Sequence, residues 1–94
     1  GQLLALAIGG CFCNDLRYAA DEMGARLGRI AVAVTLQLEG TPLIATAATM
    51  TVSCDALDGA DPRPIVERAQ TISTVSNSLR RGLPVTIEMA EPAG

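Results

Sequence analysis

The sequence predicts an α+β fold: a central buried helix packed on an antiparallel sheet. Three observations carry the class. Residues 2–23 are the longest helix-compatible run in the chain. Two stretches of alternating apolar residues follow, joined by a short Gly40-Thr41-Pro42 turn, and so short a connection makes neighbouring strands antiparallel. Asp61-Pro62 then opens a segment with helical apolar spacing. Helices kept apart from an antiparallel sheet define the class. The expected order is helix, strand, strand, helix, short helix, strand, in one domain over residues 1–94.

In the first helix, Leu3 to Ile8 is apolar without a break, which predicts burial on every side. Asn14, Asp15 and Arg17 interrupt the run well before the ~18 apolar residues that a membrane span needs. Placed at about 100° per residue, Ala5, Ile8, Phe12, Leu16, Ala19, Ala20 and Met23 share one face. Cys11 and Cys13 fall about 200° apart, on the two flanks of that face, so they cannot bond to each other in an intact helix. Gly24 is placed to cap the C-terminus.

The first strand is Arg29–Glu39, where Ile30, Val32, Val34, Leu36 and Leu38 alternate with smaller or polar residues. The second runs from Leu43 to Cys54, with Ile44, Met50, Val52 and Cys54 on one face. A loop spans 55–61. Asp61 is expected as N-cap and Pro62 as the first helical residue of a helix carrying Ile65, Val66, Ala69 and Ile72. Ser73 or Thr74 restarts a short helix through Leu79, ended by Gly82. Leu83–Met89 reads as a last strand, with Pro84 placing it at a sheet edge or a strand start.

Composition narrows the function. Apolar residues make up 49% of the chain, too many for so small a core to hide, which points to cover by another chain. All seven basic residues are Arg, and there is no His, so Ser-His pairs, Cys-His pairs and His-bearing metal sites are excluded. A net charge of −3 without a basic stripe disfavours nucleic acid. No signal-peptide pattern is present, and three irregularly spaced cysteines do not make a disulfide scaffold, so a cytoplasmic protein with reduced thiols is expected. No cofactor is implied. The chain begins at Gly1 without an initiator Met, and its helix starts almost at once, so the expectation is either a fragment or a lost upstream segment.

Chemistry rests with the thiols. Cys11 is either a reactive thiol or a small hydrophobe beside Gly10 and Phe12. Its i+4 neighbour Asp15 opposes a thiolate, whereas Arg17 at i+4 from Cys13 favours one, so local physics alone prefers Cys13. Cys54 reads as core or core edge. A CxC pair on a helix diverges and does not make a zinc site. Asp55, Asp58 and Asp61 lack the rest of a calcium loop. Arg80-Arg81 ends the short helix, where cations suit the helix dipole.

Two segments carry a resemblance. Leu3-Leu-Ala-Leu-Ala-Ile-Gly-Gly-Cys-Phe-Cys13 resembles the central helix of the OsmC/Ohr family, the osmotically induced and organic-hydroperoxide-resistance proteins. Glu67-Arg-Ala-Gln-Thr-Ile-Ser-Thr-Val-Ser-Asn-Ser-Leu79 resembles that family's Ala-x-x-x-Cys-Pro-Val-Ser-x-x-Leu segment, and the spacing to Leu83-Pro-Val-Thr-Ile agrees. The resemblance implies a homodimer that reduces organic hydroperoxides with a thiol pair, restored by a small or protein thiol reductant. It places the peroxidatic Cys on Cys11, the resolving Cys on Ser73 and the Pro after it on Thr74. The family's catalytic Glu falls at or next to Gly1, and its activating Arg lies in N-terminal strands that this chain does not contain. The chain would then be the C-terminal two-thirds of the family fold. Ser73 cannot form a disulfide, so the expectation is a one-Cys peroxidase acting through Cys11. The alternative is a catalytically inactive dimeric scaffold or a small-molecule-binding protein. Resolution by Cys13 or Cys54 is disfavoured, the first by its orientation on the helix and the second by its place on the sheet.

Overall fold

A computed structural model describes residues 2–90. Gly1, at or next to which the resemblance puts the family's catalytic Glu, and the last four residues lie outside the described part. The elements are α1 (Gln2–Glu22), β1 (Leu27–Glu39), β2 (Ile44–Ala56), α2 (Arg63–Ile72) and α3 (Thr74–Arg80). The α+β class and the order of these five elements follow the sequence expectation, with boundaries shifted by one or two residues.

The C-terminus of α1 closes as its sequence predicts. Gly24 takes φ +69°, a conformation that costs glycine little. Its N–H donates to the Asp21 carbonyl at 3.1 Å, and the Ala25 N–H donates to the Ala20 carbonyl at 2.8 Å. These two bonds are the Schellman pattern, and they satisfy carbonyls that the helix end leaves open. The chain then turns directly into β1.

β1 and β2 form a two-stranded antiparallel hairpin. Ile30 faces Cys54, Val32 faces Val52, Val34 faces Met50 and Leu36 faces Ala48. These side chains share the inner face, because strand side chains alternate. Val32 and Val52 pack against the core cluster of Phe12, Leu16, Ala19, Ala20, Ile65 and Ala69. Leu16 and Ala19 are wholly buried and Phe12 is 2% exposed, so this cluster is where α1, α2 and the hairpin meet. Gly9 is the close-approach point between α1 and β1. A Cβ built there would lie 3.1 Å from Val34 Cγ2.

At α2 the cap sits one residue later than expected. Pro62 takes the N-cap position and Arg63 begins the helix. Asp61 nevertheless supplies the missing acceptor, taking the Arg63 N–H at 3.0 Å, and also pairs with the Arg63 guanidinium at 2.9 Å. At the far end of α2, Ser73 leaves the helical conformation with ψ 108° and caps α3, its Oγ accepting from the Ser76 N–H at 3.4 Å.

Three expectations are corrected. The N-terminal half of α1 is not buried all round: Leu3 is 82% exposed and Leu6 69%. Only one side of the helix rests on the hairpin and α2, and none of the described residues covers the other. Met23, assigned to the buried face, is exposed because α1 ends in its capping turn there. The segment Leu83–Met89 makes no strand: residues 83–90 have no regular structure, and Ile87 and Met89 are about nine-tenths exposed. A strand is stable only when its backbone groups pair with a neighbour, and this stretch has none among the described residues.

Candidate functional site

Cys11, Cys13 and Cys54 are free thiols, each half-buried. Their positions differ. Cys13 lies on the β1 flank of α1, on the side where Gly9 approaches Val34 and Val32. Cys11 lies on the opposite flank, three turns along the same helix edge from Glu22. Glu22 reaches α2 through a two-point contact, Arg68 Nη2 to Oε1 at 2.9 Å and Arg68 Nε to Oε2 at 3.2 Å. That pair fixes the edge of α1 carrying Cys11 as the one turned toward α2 and α3.

Asp15, one turn beyond Cys11 on this edge, has a buried Oδ2 without a hydrogen-bond partner among the described residues. Such an oxygen is costly to leave unpaired. The sequence marks Asp15 only as an acidic neighbour of Cys11; nothing in it signals the buried oxygen.

Ser73 is fully buried at the α2–α3 junction. It carries a hydroxyl engaged in capping α3, so the position implied for a resolving thiol is a structural one in this chain. Cys54, on the inner face opposite Ile30, lines a cleft of about 400 Å³ with Arg63, Val66 and Glu67. Burial pushes its thiol up, and the charge of Asp55 adds to this. A thiol so placed is a poor nucleophile near neutral pH. Arg17, the cation set against Cys13 in the sequence, is exposed and makes no ion pair among the described residues.

The acidic loop is built for turns. Asp58 Oδ1 accepts from the Ala60 N–H at 3.0 Å, and Asp61 is taken by Arg63. No group of three metal-capable side chains gathers among the described residues. No described helix is long and apolar enough to cross a membrane.

A larger groove, of about 620 Å³, opens between the N-terminal half of α1, the distal part of the hairpin and α3. Ile8, Phe12, Met50 and Leu79 line it, with Arg80 at its edge. The sequence shows these residues as core positions and a helix end; that they frame one groove is a product of the tertiary packing.

The family described as OsmC-like protein matches residues 1–88, nearly the whole chain. The chain belongs to the OsmC-like protein family. No curated protein matches it. The matched span of this OsmC-like chain contains both segments that carry the resemblance, the α1 segment with Cys11 and the α2–α3 segment with Ser73. At the level of the family this connects the protein with peroxide handling and oxidative stress.

Proposed function

We propose that this OsmC-like protein reduces organic hydroperoxides by a one-cysteine cycle at Cys11. The observation that carries the reading is the placement of Cys11: half-buried on the α1 edge turned toward α2 and α3, inside the span matching the family. The Cys11 sulfur attacks the distal peroxide oxygen. A sulfur–oxygen bond forms, the O–O bond breaks, and the thiol proton leaves with the departing alcohol. The product is Cys11 sulfenic acid. With a buried serine at position 73, the cycle closes through an external dithiol. One of its thiols displaces water to form a mixed disulfide with Cys11, and the other releases Cys11 as a thiol.

A second copy of the chain covers the outer side of α1 in this reading, which is supported by the exposure of Leu3 and Leu6 in the single chain. A cytoplasmic setting follows from the need for a thiol reductant.

Trapping tests the chemistry directly. Treatment with one equivalent of cumene hydroperoxide in the presence of dimedone, followed by peptide mass spectrometry, places the adduct on Cys11. An adduct confined to Cys13 or Cys54, or absent altogether, overturns the reading.

A further inference from the structure

We propose that Asp15 is the hydrogen-bond acceptor for the sulfenic acid formed on Cys11, and that it protects this oxidised form from a second peroxide until the external dithiol arrives. This role rests on the one-cysteine cycle proposed above and deepens it.

Three observations carry it. First, Asp15 Oδ2 is buried and has no hydrogen-bond partner among the described residues. An acceptor left open in the interior is costly, more so when it is charged. Asp is also a poor residue for the middle of a helix. Asp15 therefore weakens the reduced protein, and rules of this kind are broken mainly where a site needs the residue.

Second, Asp15 follows Cys11 by four residues in α1, and both are half-buried. Side chains at that spacing are neighbours on one helix edge, with Cβ atoms roughly 5–6 Å apart.

Third, donors are scarce. Of the helix neighbours of Asp15 three and four positions away, Phe12 and Ala19 carry none, and Tyr18 is 70% exposed. Arg68, the α2 cation on this edge, is committed to Glu22. Cys11 remains, and a thiol is a weak donor. Oxidation changes this. It lengthens the Cys11 side chain by one oxygen and replaces S–H with O–H.

The chemistry gives the contact a purpose. Ser73 cannot capture the sulfenic acid as a disulfide, so the intermediate has to last until a dithiol reaches it. A second hydroperoxide destroys it. The ionised sulfenate attacks the distal peroxide oxygen, a second S–O bond forms and the O–O bond breaks. The hydroperoxide proton leaves with the departing alcohol, and a sulfinate remains. A hydrogen bond from S–O–H to the Asp15 carboxylate keeps the proton in place, and the negative charge opposes the sulfenate. The neutral sulfenic acid still condenses with a thiol.

The test uses the full chain carrying Cys13→Ser and Cys54→Ser as parent, alone and with Asp15→Ala or Asp15→Asn. Excess cumene hydroperoxide is added without thiol, and intact mass follows the singly and doubly oxidised protein. Asp15→Ala is expected to undergo the second oxidation about tenfold faster than the parent, with the first oxidation no slower. Asp15→Asn keeps an acceptor without the charge and is expected to lie between the two. Thermal midpoints give a second readout. Single oxidation is expected to raise the midpoint of the parent and not that of Asp15→Ala. A second oxidation equally fast in the parent and both variants overturns the proposal and leaves the one-cysteine cycle standing. So does an Asp15→Ala midpoint lowered by the same amount in the reduced and oxidised forms, the mark of a structural role. If Asp15→Ala does not fold, Asp15→Asn decides, and a second oxidation no faster than the parent's overturns the proposal. A parent whose Cys11 is not oxidised at all overturns both the proposal and the cycle.

Discussion

Gly9 lies against Val34, with room for a hydrogen but hardly for a methyl: a Cβ at Gly9 would stand 3.1 Å from Val34 Cγ2 and 3.7 Å from Val32 Cγ1. Its neighbour Gly10 has open space at the same point. Two adjacent glycines thus have different causes. Gly9 sets the distance between α1 and β1, and Gly10 faces away. Gly9→Val is expected to destabilise by about 1–3 kcal/mol, the usual range for overpacking a fitted contact. Gly10→Ala is expected to stabilise by about 0.5–1 kcal/mol through helix propensity alone. Urea denaturation of the two variants measures both, and equal effects would contradict the packing described.

The core depends on few large side chains. Leu16 is wholly buried among Phe12, Ile65 and Ala69. Leu16→Ala is expected to cost about 3–5 kcal/mol, the transfer of the lost methyls plus the cavity left behind. Thermal melts followed by circular dichroism read this directly.

The Arg68 contact to Glu22 predicts a pH dependence. Its hydrogen bond and charge hold the Glu22 carboxyl below its ordinary value of 4.5. A lowered folded value means that the unfolded chain takes up the proton first. The contribution is therefore complete above the unfolded value and is lost as pH falls through the folded one. Asp61 behaves likewise, lowered mainly by the Arg63 backbone N–H. Comparison of Glu22→Gln with wild type is expected to show a small stability difference at neutral pH that shrinks in acid and in high salt. A difference that grows below about pH 4 would contradict the assignment.

Cys54 is expected to be the slow thiol. In a Cys11→Ser, Cys13→Ser variant, alkylation by iodoacetamide should rise with pH later than in a model cysteine peptide, because burial and Asp55 oppose the thiolate. Alkylation at or before the peptide's midpoint would remove the physical reason for setting Cys54 aside.

The local chemistry of the chain was legible in its residues. The apolar stripe from Ile8 to Ala20, the Gly24 cap and the paired alternation around Gly40-Thr41-Pro42 each depend on neighbours within a few positions, and each is found, while the helix start at Asp61-Pro62 is found one residue late. Leu83–Met89 alternates as well as Ile30–Leu38 does, yet forms no strand, because alternation records a face and not the presence of a partner. The candidate site divides in the same way. The flanking positions of Cys11 and Cys13 follow from helix geometry. The buried oxygen of Asp15 and the groove at Arg80 come from segments far apart in the chain, and no local pattern encodes them.

In the proposed cycle Cys11 is the one reactive thiol of this OsmC-like chain. The most direct measurement is steady-state consumption of cumene hydroperoxide with dithiothreitol as reductant, in wild type and in the three single Cys→Ser variants. The proposed cycle predicts turnover in wild type, Cys13→Ser and Cys54→Ser, and none above the uncatalysed rate in Cys11→Ser. Equal rates in wild type and Cys11→Ser would contradict it.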